Sequence, residues 1–285
     1  MNKTIRFLIT GGAGQLGRDF QVFLKNKGIN YFAPNRDLDI TNIKKIRDFV
    51  RNKQINIIIN CAAYNAVDSA EGNWKSAYLV NGIGPKNLAI VSNEIGATFI
   101  HYSSDYVFDG KKKKPYTIFD LPNPISRYGE SKLLGERYTQ LIANKFYLIR
   151  VSWVFGKGNN NFVKKVLEWR QRRSELAIVD DQTSSPTYTK DLVNATYDLI
   201  QTKAYGLYHI TNSGFCSRYE WADYILTKVK WKGKLTRAKL NDFKTPAKRP
   251  SFSVLDNFGT KETIGYELPH WNEAIDEFLK ELGEI

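Results

Sequence analysis

Short apolar runs alternate with longer amphipathic stretches over the first half of the chain. The runs are rich in Ile, Val, Phe and Tyr, and they predict β-strands at residues 5–10, 30–33, 55–60, 98–103 and 147–151. The stretches between them place apolar residues at helical spacing, which predicts helices at residues 15–27, 43–53, 74–94 and 126–143. Because strands and helices alternate, the pattern predicts an α/β fold whose parallel sheet is covered by helices on both faces.

The second half of the chain is less regular. Its apolar spacing predicts helices at residues 161–173, 190–202, 218–230 and 271–282, and prolines interrupt the segments between them. No internal repeat and no low-complexity linker separates the two halves. We therefore predict a doubly wound sheet domain over residues 1–155 and a smaller C-terminal α/β lobe over residues 156–285, with some segments of the lobe returning to the sheet.

Length and composition fit this organisation, because 285 residues of which 42% are apolar can bury a large core. The N-terminal apolar run has the pattern of a buried strand rather than a signal peptide, and no apolar stretch approaches the roughly 20 residues that span a bilayer. Cys61 and Cys216 are too few for a disulfide framework and lack metal-ligand spacing. We predict a reduced, cytoplasmic protein with no membrane partner and no metal.

The formal net charge of +13 comes mostly from lysines scattered along the chain. The one run, at residues 111–114, precedes a proline and has the character of a solvated loop. Such a charge is typical of a lysine-rich surface, or of a protein that attracts an anionic small substrate. A nucleic-acid binder would concentrate it in one patch with interleaved aromatic residues, so we predict no nucleic-acid partner.

A glycine-rich loop at residues 10–17, Thr-Gly-Gly-Ala-Gly-Gln-Leu-Gly, joins the first predicted strand to the first helix. Glycines at this junction permit a tight turn and let the backbone approach a pyrophosphate, which then sits at the helix N-terminus. No Gly-Lys-Ser/Thr follows, so the loop is not a Walker phosphate loop. The loop predicts that the sheet is a Rossmann-type sheet that binds a dinucleotide.

Residues 33–40, after the second predicted strand, carry both signals that distinguish the two nicotinamide cofactors. An acid here, Asp37 or Asp39, suits the ribose hydroxyls of NADH, whereas Arg36 suits the 2′-phosphate of NADPH. Asp39 and Ile40 are also placed to flank the adenine, or to cap the following helix. The cofactor is therefore predicted as NADPH or NADH.

The fourth predicted strand runs into Ser104 and Asp105, at the sheet edge where α/β folds bind ligands. A serine there can donate a hydrogen bond to a substrate carbonyl, or it can cap a turn. Tyr128 and Lys132 lie four residues apart, on one face of a predicted helix. An ammonium beside a phenol predicts a lowered tyrosine pKa and proton exchange with a substrate oxygen. Together with the glycine loop, these residues predict a carbonyl reductase.

The chain resembles the extended short-chain dehydrogenases/reductases that act on nucleotide sugars, and within them the dTDP-4-dehydrorhamnose reductase family. The resemblance covers nearly the whole chain and is carried by residues 10–17, 60–68, 104–110, 128–132, 152–156, 158–162, 180–187 and 247–255. It implies NAD(P)H-dependent reduction of the C4 keto group of dTDP-4-dehydro-L-rhamnose to dTDP-L-rhamnose, by a monomer or homodimer whose C-terminal lobe binds the nucleotide sugar.

The resemblance also implies roles for individual residues. The implied catalytic residues are Ser104, which would hold the C4 oxygen, Tyr128, which would protonate it, and Lys132, which would bind the nicotinamide ribose. The implied cofactor-binding residues are Gly11, Gly14, Gln15, Leu16, Gly17, Arg36, Asp39, Ile40, Ala62, Ala63, Tyr64, Tyr128 and Lys132. The implied substrate-binding residues are Ser104, Asp105, Tyr128, Trp153, Asn161, Gln182 and Arg249, of which Arg249 would clamp the diphosphate. Trp153 fits a core position and Arg249 a surface ion pair as well.

Three positions depart from the family pattern. Ser104 stands where the family has threonine, which keeps the hydroxyl. Tyr64-Asn65 replaces His-Thr, and Ser184 replaces a glycine. The last two departures leave open a reductase or epimerase of another 4-keto nucleotide sugar. A non-catalytic dinucleotide-binding subunit is a further alternative, which the intact Ser104, Tyr128 and Lys132 set disfavours.

Overall fold

The computed structural model describes residues 5–35, 37–158 and 161–285. The strands of the described chain are β1 (Arg6–Thr10), β2 (Asn30–Phe32), β3 (Ile57–Asn60), β4 (Thr98–Ser104), β5 (Phe146–Val151), β6 (Val154–Phe155), β7 (Glu175–Val179), β8 (Thr183–Ser184), β9 (Thr187–Tyr188), β10 (Gly206–His209), β11 (Cys216–Ser217) and β12 (Lys234–Ala238). The helices are α1 (Gln15–Asn26), α2 (Ile43–Val50), α3 (Val67–Gly72), α4 (Trp74–Tyr78), α5 (Gly84–Glu94), α6 (Arg127–Ile142), α7 (Phe162–Arg172), α8 (Thr189–Thr202), α9 (Arg218–Lys228), α10 (Thr260–Ile264) and α11 (Trp271–Glu281).

Six strands form the central sheet, in the order β10-β5-β4-β3-β1-β2, and every pairing is parallel. The chain leaves β1 for β2 on one side and then crosses to β3 on the other side. Such a reversal opens a crevice at the carboxyl ends of the strands, which is where doubly wound sheets bind ligands. The predicted α/β, Rossmann-type fold is confirmed.

Alternate residues of β1 reach two separate cores, one on each face of the sheet. Phe7 and Ile9 pack with residues of α1 and α8, whereas Leu8 packs with residues of α2 and α5. All three side chains are buried. Fully burying a side chain of this size stabilises the fold by roughly 1.5–3 kcal/mol, so both helical layers hold the sheet.

A third core lies in the C-terminal half, between α7, α9 and α11. Val166, Trp221 and Phe278 are its buried centre, one from each helix. The short parallel pair β7 and β12 flanks it. This lobe faces the crevice through the loop that follows β5.

The predicted elements of the first half recur within a few residues of their predicted bounds, with one difference. The single helix predicted over residues 74–94 is broken by a π-helical turn, Leu79–Ile83, between α4 and α5. Strand β10 has no strong apolar signal in the sequence, yet it pairs with β5, and α8 packs against α1. The boundary at residue 155 stays a prediction. No helix of the described chain is long and apolar enough to cross a membrane.

Candidate active site

The glycine loop leaves no room for side chains between β1 and β3. Gly11 has φ +66°, and a Cβ on it would lie 2.6 Å from the backbone nitrogen of Ala62. A Cβ on Gly17 would lie 2.5 Å from the carbonyl oxygen of Gly11. Gly14 caps α1 without a side chain, so the first backbone N–H groups of this helix face the crevice. The loop is thus shaped for close approach of a dinucleotide pyrophosphate.

The segment after β2 is held by its own turn. The Asp39 carboxylate accepts hydrogen bonds from the backbone nitrogen of Thr41 at 2.9 Å and from its hydroxyl at 2.7 Å, and these bonds lower the pKa of Asp39. Ile40 is buried in the core beneath α5. Arg36 lies outside the described residues. The cofactor contacts proposed for these three residues stay predictions.

Tyr128 and Ser104 meet at the carboxyl end of β4. Tyr128 is buried near the start of α6, and its ring packs edge-on against Tyr106, with 5.4 Å between centroids. Burial raises the pKa of Tyr128, and the nearby Ser104 hydroxyl only partly opposes this effect. The prediction that the tyrosine pKa is lowered is therefore wrong for this structure, because removal of the phenol from water is the largest effect on it. Tyr128 is a neutral phenol near neutral pH.

Lys132 lies one turn after Tyr128 on α6 and is buried. Its Nζ donates a hydrogen bond to the backbone carbonyl oxygen of Tyr102 on β4, at 2.6 Å. Burial lowers the pKa of Lys132 to about 8, against the opposing effect of Glu136. The lysine is therefore fixed by the sheet backbone, and both it and Tyr128 line the crevice.

Asp105, next to Ser104, is a buried carboxylate held by three serines. It accepts hydrogen bonds from the hydroxyls of Ser104 at 3.0 Å, Ser253 at 2.6 Å and Ser184 at 3.4 Å. Burial raises its pKa to about 6, and the Ser253 and Ser104 hydroxyls limit the rise. Ser184, which stands where the family has glycine, is thus a further hydrogen-bond donor to this carboxylate.

Trp153 follows β5 with φ +43°, a left-handed conformation that is rare for a bulky residue. Its ring stacks on Trp221, with centroids 5.4 Å apart and planes within 9°. The guanidinium of Arg218 lies over the Trp153 ring, 3.7 Å from the centroid. Neither Trp221 nor Arg218 was predicted from the sequence, because no motif marks them.

Asn161 connects the lobe to the glycine loop. Its side chain caps α7 by accepting from the backbone nitrogen of Lys164 at 3.2 Å. Its Nδ2 donates to Gln15 Oε1 at 2.9 Å and to the Gly156 carbonyl oxygen at 2.8 Å. The amide is therefore engaged in joining two walls of the crevice, and its contact with substrate stays a prediction.

Arg249 pairs with Asp68, with 2.7 Å between Nη2 and Oδ2. Its Nη1 also donates to the Ala247 carbonyl oxygen at 3.1 Å. The carbonyl oxygen of Gln182 accepts from the backbone nitrogen of Arg218 at the start of α9. Diphosphate binding by Arg249 and sugar binding by Gln182 stay predictions.

The loop that carries the Tyr64-Asn65 departure is clamped by Asn81, from the π-helical turn. Asn81 is buried, accepts from the backbone nitrogen of Tyr64 at 2.8 Å, and donates to the Tyr64 carbonyl oxygen at 3.0 Å. It also donates to the Ser131 hydroxyl at 2.9 Å. The π-turn thus aims an amide that links this loop to the helix of Tyr128 and Lys132, a role that sequence reasoning missed.

These elements enclose a cleft of about 540 Å³ at the carboxyl ends of β1, β3, β4 and β5. The predicted site residues that line it are Gly14, Gln15, Leu16, Ala62, Ala63, Ser104, Asp105, Tyr128, Lys132, Trp153 and Asn161. The other described site residues do not line it: Gly11, Gly17, Asp39, Ile40, Tyr64, Gln182 and Arg249. In the described ranges, no three His, Cys, Asp or Glu side chains gather as metal ligands would.

Comparison with known proteins finds one family over almost the whole chain. Residues 5–284 match the model of the RmlD substrate binding domain. A spore coat polysaccharide biosynthesis protein, SpsK of Bacillus subtilis, is 38% identical over 97% of this chain and 97% of its own.

Two crystal structures of dTDP-4-dehydrorhamnose reductases are similar to the chain. The Clostridium acetobutylicum reductase is 40% identical, with TM-score 0.95 over 98% of this chain and all of its own. The Bacillus anthracis reductase, solved in complex with NADP, is 37% identical, with TM-score 0.94 over 98% of this chain and 99% of its own.

Proposed function

Because this chain belongs to the RmlD substrate binding domain family, we propose that it is a dTDP-4-dehydrorhamnose reductase. The enzyme reduces the C4 keto group of dTDP-4-dehydro-L-rhamnose with NADPH or NADH and forms dTDP-L-rhamnose. The observation that carries this proposal is the meeting of Ser104, Tyr128 and Lys132 in one cleft with the glycine loop. When bound, the dinucleotide supplies the hydride.

Tyr128 is proposed as the proton donor to the C4 oxygen. A carbonyl reduction needs an acid at this atom, and a tyrosine whose pKa is raised by burial holds its proton at neutral pH. Ser104 is proposed to orient the same oxygen through its hydroxyl. Hydrogen bonds to an oxygen that gains negative charge count most in the transition state, so these two residues lower the barrier rather than only bind substrate.

Lys132 is proposed to bind the nicotinamide ribose. Its anchorage on the Tyr102 carbonyl oxygen fixes the ammonium in the cleft that Tyr128 also lines, where a positive charge favours transfer of the phenolic proton as charge develops. Gly11, Gly14 and Gly17 are proposed to receive the pyrophosphate at the start of α1.

The C-terminal lobe is proposed to bind the nucleotide sugar, with Trp153 against the sugar ring. Asn65, at one family departure, lines the cleft. This observation favours a second candidate, reduction of another dTDP-4-keto-6-deoxy sugar by the same residues. Cytoplasmic location, a monomeric or homodimeric state, and the absence of a metal or nucleic-acid partner carry over as proposals from the sequence.

The deciding experiment is a spectrophotometric assay of NADPH and NADH oxidation with a panel of 4-keto nucleotide sugars, followed by determination of the product configuration at C4. We expect turnover with dTDP-4-dehydro-L-rhamnose and formation of dTDP-L-rhamnose. Turnover only with a different keto sugar would establish the second candidate, and cofactor binding without turnover of any of them would contradict both.

A further inference from the structure

Arg218, the first residue of α9, presents to the cleft a guanidinium that is hydrogen-bonded to no carboxylate of the described residues. Its side chain is partly buried, and its guanidinium carbon lies over aromatic rings of the lobe, 3.7 Å from the ring centroid of Trp153 and 4.8 Å from that of Phe162. Rings that cover the face of a guanidinium leave its five N–H donors, which lie in the plane, for other partners.

No such partner is present among residues 5–35, 37–158 and 161–285. The charge of Asp105 favours that of Arg218, but its oxygens accept hydrogen bonds from serine hydroxyls, and Asp68 pairs with Arg249. A charge that is partly removed from water without a partner is costly, so its position is best explained by an anion that the free protein does not supply.

Arg249 is the second arginine near Tyr106. Both guanidinium groups interact electrostatically with the Tyr106 side chain, and the charge of Arg249 disfavours that of Arg218. Burial lowers the pKa of Arg218 to about 10, so the group is still charged at neutral pH. Arg249 already pairs with Asp68, so Arg218 is the guanidinium of the two whose N–H donors are left for a ligand.

We propose that Arg218 binds the diphosphate of the nucleotide sugar through its in-plane N–H groups, with Trp153 and Phe162 holding the guanidinium plane. This inference rests on the proposed function, since it takes a nucleoside diphosphate sugar as the ligand. The planar fork of arginine matches two phosphate oxygens, which a lysine cannot do. Arg218 thus gives the cleft a diphosphate contact that no family motif marks.

The test compares Arg218→Gln with the unchanged protein in calorimetric binding of dTDP, thymidine and NADPH. Loss of a charged, bidentate contact predicts a roughly tenfold to hundredfold rise in the Kd for dTDP. The Kd values for thymidine and NADPH should stay within about twofold, because neither ligand places a phosphate there. Unchanged NADPH affinity also shows that the variant is folded.

Arg237→Gln is the matched control. Arg237 also stacks on an aromatic ring, 4.1 Å from the Tyr219 centroid, but its side chain is exposed and lies outside the cleft. The dTDP affinity of the Arg237→Gln variant should equal that of the unchanged protein. Equal dTDP affinity of Arg218→Gln and the unchanged protein would overturn the assignment. So would weakened binding of dTDP-L-rhamnose with unaltered binding of dTDP, which would place Arg218 on the sugar. If the unchanged protein binds dTDP but turns over no keto sugar, the proposed function fails while the Arg218 comparison still stands.

Discussion

The Ser104 hydroxyl donates its only proton to Asp105, with 3.0 Å between Oγ and Oδ1. The same oxygen accepts from the backbone nitrogen of Tyr106 at 3.2 Å. A serine in this state accepts hydrogen bonds from the cleft but has no proton to give. To donate to the C4 oxygen, Ser104 must turn away from the carboxylate, and the charge of Asp105 decides how easily it does so.

Two substitutions of Ser104 test the contribution of its hydroxyl to catalysis. We expect Ser104→Ala to lower kcat by about 10²–10³, as loss of one hydrogen bond to a developing oxyanion does. Ser104→Thr keeps the hydroxyl and should stay within several-fold of the unchanged enzyme. Steady-state kinetics at saturating NADPH measure both variants, and an alanine variant as active as the threonine variant would refute the role of the hydroxyl.

Tyr128→Phe removes the proposed proton donor and leaves the ring in place. We expect kcat to fall by about 10²–10⁴, the usual contribution of a positioned acid, while the Kd for NADPH is unchanged. Tyr138→Phe is the control, since Tyr138 lies on the same helix but packs against Lys86 and does not line the cleft. Undiminished turnover of the Tyr128 variant would exclude it as the donor.

Asp105 predicts a specific dependence of stability on pH. Its folded-state pKa of about 6 lies above the ordinary value of 3.8, so the folded protein retains a proton that the unfolded chain loses. The stabilisation is full below pH 3.8 and is lost as pH rises through about 6. A folded-state pKa that lies about two above the unfolded-state pKa corresponds to about 3 kcal/mol in the free energy of unfolding.

Asp105→Asn should therefore show a flatter pH dependence of unfolding than the unchanged protein between pH 4 and 6. Urea denaturation at a series of pH values gives both curves. Parallel curves would mean that Asp105 does not titrate in this range.

Alanine variants of Gly11 and Gly28 distinguish the effect of backbone strain from that of a steric clash. Both have φ +66°, but a Cβ on Gly28 would meet nothing within 4 Å, whereas one on Gly11 would collide with Ala62. Gly28→Ala should cost about 1–2 kcal/mol of stability and leave NADPH binding intact. Gly11→Ala should cost more and should also weaken NADPH binding at least tenfold, because the loop must move off β3. Equal losses for the two variants would show that strain alone matters at Gly11.

Much of the fold could be read from the sequence because its signals are local. The strand–helix alternation and the loop at residues 10–17 predicted the sheet and its crevice. Strand β10 escaped prediction because Gly206–His209 is short and is selected by pairing with β5, not by its own pattern. The π-turn was not predicted because the hydrogen bonds that it allows between Asn81 and Tyr64 join residues 17 positions apart in the sequence.

The site was predicted in part for the same reason. Motifs place Ser104, Tyr128 and Lys132 in one half of the fold, and the structure brings them into one cleft. The tyrosine pKa was predicted with the wrong sign, since the spacing reveals the lysine but not the depth of burial. Arg218 was missed because its place among aromatic rings in the cleft, with no hydrogen-bonded carboxylate in the described ranges, depends on residues far apart in the sequence.

The carboxylate of Asp105 is completed by a serine 148 residues further along the chain. During synthesis, the glycine loop and the helix of Tyr128 emerge well before Ser253 does. A nascent chain that has emerged only this far therefore leaves Asp105 without a main hydrogen-bond donor. The hydrogen bonding of this carboxylate is therefore complete only once the segment that contains Ser253 has joined the cleft.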